Sequence, residues 1–323
     1  MPLATEFTLN TGANIPVVGF GTWQAPAHEV HDAVKTALQF GYRHIDCAAI
    51  YRNEVAVGEG IKASGVPRSE IFITSKLWNT KHDPQDVEAA LDKTLKDLGT
   101  DYLDLYLMHW PCAFQPGDKL FPIDEEGVFK LADIDYSDTY AAMEKLLGSG
   151  KVKAIGVSNF TVNKLKDLLS KTKVVPAANQ IEAHPYLQQP ELVEFCKSKN
   201  ILLEAYSPLG NNQLGEPKVI DDPEVKELAS KSGLDPAQLV LSWGVQRGTV
   251  VLSKSVTPNR IKTNLKIKEL SSDAFRQLNA LERHKRYNQQ SRWGYDIFEE
   301  LGWEEVKRIA KEKGPENLEM FGH

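Results

Sequence analysis

The segment HIDCAAIYRNEVAVGEGIKASGVPRSEIFITSK (44–76) shows the pattern on which the whole chain is built. HIDCA and IFITSK are short, continuous apolar runs, which are typical of parallel strands covered on both faces. Between them, NEVAVGEGIKASG reads as a helix, with Asn53 as a candidate N-cap and Gly65 as its end. The segment therefore predicts a strand–helix–strand unit of a parallel α/β protein.

The same alternation extends along the chain in both directions. FTLN and IPVVGF, joined by TGAN, predict an N-terminal β-hairpin, and Asp83 with Pro84 predicts the start of the third helix. Each later strand pattern is followed by a helix pattern without a linker, and the eight strands are predicted in VVGFG, HIDCA, IFITSK, LDLYLMH, VKAIGVSN, AANQIE, ILLEAYS and VVLS. We therefore predict one α/β domain (1–323) folded as a closed (β/α)8 TIM barrel.

Three segments need a separate interpretation. A long loop after the fourth strand (110–135) and a C-terminal tail (283–323) fall outside the repeat, and both are expected to shape a substrate pocket as long ordered loops usually do. GEGIKA (58–63) resembles a dinucleotide-binding fingerprint but lies inside a predicted helix. Small residues on a packed helix face explain it better than an open doubly wound sheet does.

The composition excludes several classes of protein. The net charge of −6 argues against a nucleic acid or an anionic membrane as partner. No apolar run reaches the roughly 18 residues of a membrane span, and MPLATEF lacks the features of a signal peptide. Cys47, Cys112 and Cys196 are widely spaced, which favours small buried residues in a reducing cytosol. We expect a cytoplasmic monomer.

Four polar residues follow three successive predicted strands: Asp46, Tyr51, Lys76 and His109. Reactive groups of parallel α/β proteins gather outside the carboxyl ends of the strands, so the four are expected at one place. An ammonium beside a phenol lowers the pKa of the phenol towards the working range, and an imidazole can donate a hydrogen bond to a carbonyl oxygen. The set predicts a proton-donating site for carbonyl reduction.

Each of these residues alone also has a structural explanation. Strand-end Asp–Lys pairs are often structural, and a lone histidine is usually a core residue. Convergence on one end of a barrel favours the catalytic interpretation. No metal site is expected, because HEVH (28–31) lacks the H-E-x-x-H spacing and no further ligand cluster accompanies it.

The segments around these residues resemble the aldo-keto reductases over almost the whole chain. The similar motifs are GYRHIDCAAIYRNEVAVGEGI, MHWP, GVSNF, NQIEAHP and LSKSVTPNRIKTNL. Both ends of the chain are particularly similar to fungal members of the glycerol dehydrogenase and glyceraldehyde reductase type. The resemblance implies reduction of an aldehyde or ketone with hydride from a nicotinamide and a proton from Tyr51, assisted by Lys76, Asp46 and His109.

The resemblance also implies the cofactor contacts. The residues expected around the nicotinamide are Thr22, Trp23, Ser158, Asn159, Gln180 and Tyr206; those at the pyrophosphate are Ser207 and Leu209; those at the adenosine end are Lys254, Ser255, Thr257, Arg260 and Asn264. The residues themselves support the last assignment, because two cations bracket SVTPN in an acidic protein and suit a 2′-phosphate. NADP(H) is therefore expected in preference to NAD(H), although a solvated basic turn would have the same composition.

Aromatic residues are expected to line the substrate pocket together with Tyr51 and His109. Those expected are Trp23, Trp110 and Trp293, with Phe114, Phe121, Phe129 and Tyr295 as further candidates. The resemblance favours a small hydroxylated aldehyde such as glyceraldehyde, or the reverse oxidation of glycerol. A sugar aldehyde such as xylose is an alternative, as is a uronic acid of the galacturonate type held by Arg286 or Arg292. A non-catalytic, cofactor-binding regulatory barrel is an alternative of another class.

Overall fold

A closed barrel of eight parallel strands forms the centre of the computed structural model, which describes residues 3–211 and 215–322. Each strand pairs with its neighbours in the chain, and the last strand closes on the first. The barrel strands are β3 (Val18–Gly21), β4 (His44–Asp46), β5 (Phe72–Leu77), β6 (Leu105–Met108), β7 (Ile155–Ser158), β8 (Ala178–Glu182), β9 (Leu202–Tyr206) and β10 (Val250–Ser253). The predicted (β/α)8 fold is confirmed.

An antiparallel hairpin of β1 (Glu6–Thr8) and β2 (Asn14–Pro16) precedes the barrel, as predicted. IPVVGF does not form one strand, because the chain passes from β2 into β3 at Val17. Ile15 of the hairpin packs against the first residues of barrel strands, including Phe72 and Val250. The hairpin therefore seals the N-terminal end of the barrel and leaves the carboxyl ends of the strands open to other segments.

Helices cover the outside of the barrel. They are α1 (Ala27–Phe40), α2 (Glu54–Ser64), α3 (Val87–Leu98), α4 (Tyr136–Leu146), α5 (Val162–Lys171), α6 (Pro190–Ser198), α7 (Pro223–Ser232), α8 (Pro236–Gln246), α9 (Pro258–Asn264) and α10 (Ser272–Asn279). None of the helices in the described part of the chain is long and apolar enough to cross a membrane. The three cysteines are buried free thiols, as the sequence predicts.

Two predicted side-chain caps are absent, although the first of them stands at the correct helix start. Asn53 precedes α2 but makes no capping hydrogen bond, because its amide donates to the backbone oxygens of Thr22 (2.9 Å) and Ala25 (3.1 Å). Asp83 does not cap α3, which begins at Val87, because its carboxylate accepts from the Gln85 N–H in a separate turn. The predicted end of α2 is correct, since Gly65 adopts a left-handed conformation with φ of 76°.

The glycines of GEGIKA allow close packing of α2, as predicted. A Cβ atom on Gly58 would lie 2.3 Å from the backbone oxygen of Leu98, and one on Gly60 would lie 2.5 Å from that of His31. The helix therefore approaches α1 and α3 closely through these two positions. The segment is not a phosphate-binding turn.

The loop after the fourth barrel strand and the C-terminal tail pack against each other at the open end of the barrel. The loop between β6 and α4 contains only isolated β-bridges. The tail forms two helices that were not predicted from the sequence, α11 (Trp303–Glu312) and α12 (Gly314–Phe321). The Asn317 amide donates to the backbone oxygen of Gly127 (2.9 Å), and the Phe321 ring lies 4.5 Å from that of Phe121 between centroids. Helix α12 therefore supports the loop.

Candidate active site

The four residues predicted to act together do lie together at the carboxyl ends of β4, β5 and β6. Asp46 is the last residue of β4, Tyr51 ends the short turn that follows it, Lys76 is in β5 and His109 directly follows β6. The strand register pairs Asp46 with Thr74 and Lys76 with Leu107, so the ends of the three strands lie at similar levels along the barrel axis. Strand order alone therefore brings the four side chains to one end of the barrel.

Lys76 is the centre of this cluster. Its fully buried ammonium donates to both carboxylate oxygens of Asp46 (2.8 and 2.7 Å) and to the backbone oxygen of Cys47 (2.8 Å). The Tyr51 hydroxyl lies 3.5 Å from the same nitrogen. Burial opposes the charged form, but Asp46 and Tyr51 overcome it and raise the pKa of Lys76. The lysine is therefore a fixed cation directed at a phenol.

The net pKa of Tyr51 differs from the sequence-based expectation. Burial raises the pKa of Tyr51 to about 12, although the Lys76 ammonium acts in the opposite direction. The neighbouring ammonium alone would lower the pKa of Tyr51, but removing the phenolate from water has a larger free-energy cost than this ammonium offsets. Without ligands, Tyr51 is therefore protonated throughout the neutral range and is a proton donor rather than a base.

His109 completes the cluster as a neutral imidazole. Its ring lies 5.9 Å from that of Tyr51 between centroids, in an edge-to-face arrangement. Burial, Lys76 and His82 all hold the pKa of His109 well below its usual range. Its Nδ1 is buried and accepts no hydrogen bond from the residues that the structure describes. The other ring nitrogen, Nε2, is thus the one available to a substrate oxygen.

The amides and hydroxyls expected at the nicotinamide form a network beside this cluster. The Asn159 amide donates to the His109 backbone oxygen (3.0 Å) and accepts from the Tyr206 hydroxyl (2.7 Å). The Ser158 hydroxyl donates to the Gln180 backbone oxygen (2.8 Å), and the Gln180 amide donates to Asp46 (2.9 Å). These groups supply the donors and acceptors that a carboxamide needs, next to a half-buried aromatic ring.

The cations expected at the adenosine end lie after β10. The Lys254 ammonium donates to the backbone oxygen of Gln24 (3.2 Å), and burial lowers the pKa of Lys254. Arg260 is exposed at the start of α9. Within residues 3–211 and 215–322, neither cation pairs with a carboxylate, so this donor set suits a phosphate. The remaining predicted cofactor residues lie at the same end of the barrel: Thr22 and Trp23 after β3, Ser207 and Leu209 after β9, and Ser255, Thr257 and Asn264 after β10.

A cluster of aromatic rings borders His109 on the side of the loop and the tail. Trp293 is buried between Trp110 (5.0 Å between ring centroids) and Phe114 (5.1 Å). The other members of this aromatic wall are Trp78, Cys112, Phe129 and Ile297, with Phe121 packed against it. The predicted Trp23 is half-buried and lies outside the aromatic wall, whereas Tyr295 packs against the wall and edge-to-face on Trp303.

The two arginines considered as carboxylate receptors are engaged within the tail. Arg286 contacts Glu300 (2.7 Å), and its guanidinium lies 3.6 Å from the centre of the Phe298 ring. Arg292 reaches Asn317 (3.5 Å) and Glu316 (3.9 Å). Both cations thus hold the tail together, which weakens the prediction of a uronic acid substrate.

Comparison with known proteins agrees with this geometry. The model of the Aldo/keto reductase family matches residues 17–283. The chain belongs to this family. The chain is 51% identical over 288 residues to the glycerol 2-dehydrogenase (NADP(+)) of Saccharomyces cerevisiae, with 86% of this chain and 91% of the relative covered. It is 47% identical over 297 residues to the aldo-keto reductase family 1 member A1 of Cricetulus griseus, with 88% and 92% covered.

A solved structure gives the same picture of this aldo/keto reductase. The aldose reductase of Schistosoma japonicum superposes with a TM-score of 0.86 at 40% identity, and the match covers 91% of this chain and 97% of that one. The family model ends at residue 283, so the tail that carries Trp293, α11 and α12 lies beyond it.

Two residues of the site were missed in the sequence. Trp78 lies two residues after Lys76, and its ring packs edge-to-face on His109 (5.4 Å between centroids). Glu204 is buried inside the barrel, where a carboxyl oxygen accepts from the Gln180 amide (3.4 Å). Both had a visible signal, since one is a large aromatic residue just past a strand and the other is the single charge in ILLEAYS.

Proposed function

We propose that this aldo/keto reductase catalyses NADPH-dependent reduction of a small hydroxylated aldehyde such as glyceraldehyde, or the reverse oxidation of glycerol. The contact that carries the proposal is the 3.5 Å approach of the buried Lys76 ammonium to the Tyr51 hydroxyl. A buried cation next to a phenol stabilises the phenolate that forms when the phenol donates its proton. The name of the yeast relative, glycerol 2-dehydrogenase (NADP(+)), supports both the substrate and the cofactor.

The protein residues divide the acid–base work between them. When bound, NADPH supplies the hydride that reaches the carbonyl carbon. The Tyr51 hydroxyl gives its proton to the carbonyl oxygen, and Lys76 stabilises the phenolate that is left. Asp46 keeps the lysine charged and aimed, through two hydrogen bonds. The neutral His109 donates from Nε2 to the oxygen as negative charge develops there.

The cofactor is held at the carboxyl ends of the strands without a separate domain. Ser158, Asn159 and Gln180 bind the carboxamide, and the Tyr206 ring stacks on the nicotinamide. Lys254 and Arg260 bind the 2′-phosphate, which distinguishes NADP(H) from NAD(H). These roles are supported by the donor types and by the positions of the residues, at the ends of β7 and β9, within β8 and after β10.

The aromatic wall supports a small substrate. Trp293, Trp110 and Phe114 are almost fully buried and fill the space on the loop side of His109. Aromatic faces suit the C–H groups of polyhydroxylated compounds, and a closed wall leaves little room for a bulky group. The tail therefore completes the substrate site within a single domain. We also propose that the protein acts as a cytoplasmic monomer.

Steady-state kinetics test the proposal directly. Rates with glyceraldehyde, xylose, glucuronate and an aromatic aldehyde are compared, each with NADPH and with NADH. We expect the highest kcat/KM for glyceraldehyde with NADPH. Higher activity on the aromatic aldehyde than on all hydroxylated compounds would exclude the polyol assignment, and equal rates with NADH would exclude the phosphate site.

The variant Tyr51→Phe separates an enzyme from a cofactor-binding regulatory barrel. Loss of the proton donor should reduce turnover by about 10²–10⁴-fold, the usual contribution of a general acid. NADPH affinity, measured by quenching of tryptophan fluorescence, should change by less than about threefold, because the ring remains. If the wild type is as inactive as the variant on a broad aldehyde panel, the regulatory role replaces the enzymatic one.

A further inference from the structure

Glu204 is a buried acid that the mechanism above does not use. It lies in β9, is fully buried, and points its carboxyl group into the barrel towards Gln180. One carboxyl oxygen is 3.4 Å from the Gln180 amide nitrogen, and the other has no hydrogen-bond partner among the described residues. Buried carboxyl groups normally have a cation or several donors around them, so this group calls for an explanation.

Gln180 connects this acid to the catalytic cluster. The two residues are opposite each other in the pairing of β8 with β9. The Gln180 amide nitrogen that faces Glu204 also donates to Asp46 (2.9 Å), and Asp46 holds Lys76. A continuous path of contacts thus runs from Glu204 to the ammonium beside Tyr51. The amide group of Gln180 therefore contacts two carboxyl groups, those of Asp46 and Glu204.

The charged groups that act on Glu204 are few. Asp46 on β4 opposes its ionisation, and Lys76 on β5 favours it. Gln180 on β8 is neutral, and the residue opposite Glu204 on β10 is the apolar Val250. Burial and then Asp46 raise the pKa of Glu204 to about 8, against the weaker effects of Lys76 and Gln180. Its carboxyl group is therefore protonated at neutral pH and ionises on the alkaline side.

We propose that Glu204 is a positioning residue whose ionisation limits the alkaline range of the reaction. The inference rests on the proposed role of Tyr51. With Glu204 protonated, Asp46 and Lys76 balance each other, and the single new charge of the reaction is the Tyr51 phenolate. With Glu204 ionised, the interior already holds an unbalanced negative charge, which raises the cost of that phenolate.

The two directions of the reaction share the Tyr51 phenolate, which is the starting state of alcohol oxidation and the end state of carbonyl reduction. In alcohol oxidation the Tyr51 phenolate would take the hydroxyl proton of the alcohol, and NADP⁺, when bound, would accept the hydride. Ionised Glu204 reduces the fraction of enzyme in that state, above all at alkaline pH where the phenolate would otherwise form. Reduction at neutral pH starts from protonated Tyr51 and protonated Glu204, so the penalty is absent. The ionisation of Glu204 thereby confines efficient turnover to the neutral range.

The test is the pH dependence of both directions in Glu204→Gln, which replaces the acid by a neutral group of the same shape. We expect the ratio of glycerol oxidation at pH about 9 to glyceraldehyde reduction at pH about 7 to rise about tenfold, the effect of one buried charge on a neighbouring ionisation. The inflection near pH 8 in the wild-type oxidation profile should disappear. A variant profile that superimposes on the wild-type profile would overturn the proposal.

Glu54→Gln is the matched control. Glu54 is also a buried carboxyl group, with its pKa raised to about 7 by burial, but it contacts Ser75 and Thr94 on the outside of the barrel. Its pH profiles should coincide with those of the wild type. An equal change of the ratio in both variants would mean that any lost buried acid produces the effect, which would also overturn the proposal.

A second measurement does not depend on the folding of the Glu204 variant. In Glu54→Gln labelled with ¹³C at glutamate carboxyl carbons, one buried carboxyl signal should titrate between pH about 7 and 9. The absence of such a signal would contradict the inference. Failure of the proposed function can be distinguished from failure of the Glu204 inference. If the proposed function is wrong, the wild type will reduce no aldehyde at any pH and will be as inactive as Tyr51→Phe.

Discussion

The carboxyl ends of the barrel strands and the loop–tail wall stand on opposite sides of the same site, and they are built in different ways. The catalytic cluster sits on β4, β5 and β6 and is held by charges: Lys76 contacts Asp46 through two hydrogen bonds. The wall is held by ring packing and by the seating of α12 on the loop, as in the contact of Asn317 with Gly127. In the proposed function, the regular strands position the reacting groups, and the irregular loop and tail determine which substrates fit.

This difference predicts where substitutions will act. A change in the strand-borne cluster should reduce turnover for every substrate, because all substrates share the proton transfer. A change in the wall should alter the KM of particular aldehydes and leave cofactor binding intact. The following predictions test the separation, beginning with the largest expected effect.

Lys76→Met should have the largest effect. Removal of the ammonium takes away the neighbouring charge that stabilises the Tyr51 phenolate, so kcat/KM for every aldehyde should fall by about 10²–10⁴-fold. The buried Asp46 carboxylate would lose its cation, and the free energy of unfolding should fall by about 3–5 kcal/mol. Steady-state kinetics and urea unfolding measure the two effects.

Lys153→Met is the control for this prediction. Lys153 also pairs with an aspartate, Asp104 (3.0 Å), but its side chain is 54% exposed and precedes β7 at the other end of the barrel. Exposed pairs contribute little, about 0–1 kcal/mol, and no activity should be lost. Retention of more than a tenth of the activity in Lys76→Met would contradict the assigned role of the lysine.

Arg260→Ala should produce the next largest effect, on the cofactor alone. Loss of one charge-assisted contact to a 2′-phosphate costs about 1.5–3 kcal/mol, so the KM for NADPH should rise roughly 10- to 100-fold. The KM for NADH should hardly change, since NADH lacks that group. Lys262→Ala in the same helix removes a neighbouring cation as control. A parallel rise for both cofactors would show that Arg260 does not read the 2′-phosphate.

Gly127→Ala tests the wall. The new Cβ would lie 2.0 Å from the backbone oxygen of Gly314, so the loop and α12 would have to separate. We expect the KM for glyceraldehyde to rise by about tenfold, within the range for altered pocket contacts, with NADPH affinity unchanged. Gly117→Ala in the same loop is the control, because its φ is also positive and a Cβ there meets nothing within 4 Å. Equal effects of the two substitutions would mean that backbone strain, and not the α12 contact, is responsible.

The smallest effect on activity is expected for Glu54→Gln, whose readout is stability. Because the pKa of Glu54 is raised to about 7 by burial, the folded state holds a proton that the unfolded state releases above pH about 4.5. The free energy of unfolding should therefore fall as the pH rises through this window, by up to about 1.4 kcal/mol per unit of the pKa difference. The variant should lack this part of the decrease between pH 5 and 8. Glu59→Gln, an exposed substitution in the same helix, should behave as the wild type in urea unfolding at both pH values.

The fold and the grouping of the four polar residues were accessible from the sequence because local patterns determine both. The carboxyl ends of the strands in a parallel barrel lie at the same end of the barrel. The positions of Asp46, Lys76 and His109 at the ends of their strands were therefore sufficient to predict that they lie close together. The pKa of Tyr51 was not accessible in the same way. It depends on how much water the folded barrel excludes, and that burial outweighs the neighbouring ammonium.

The wall was less accessible, since its contacts join distant parts of the chain. Gly127 and Gly314 approach each other so closely that neither tolerates a Cβ, yet nothing local to either glycine signals the other. The helices of the tail did have a signal, because Val306 and Ala310 in WEEVKRIAKE recur at helical spacing. Trp293 was assigned to the pocket by residue type, but its burial among Trp110 and Phe114 required the structure.

The N-terminal hairpin has a practical consequence for how this protein can be handled. It closes the end of the barrel where the strands begin, through Ile15 and Leu9, while α12 lies at the opposite end against the loop over the pocket. The two described termini of the chain therefore face opposite poles of the molecule. A carrier, a surface or a fluorescent label attached through the first residues would leave the entrance for substrates unobstructed. The same attachment through the last residues would press on Phe321 and, through Phe121, on the loop itself.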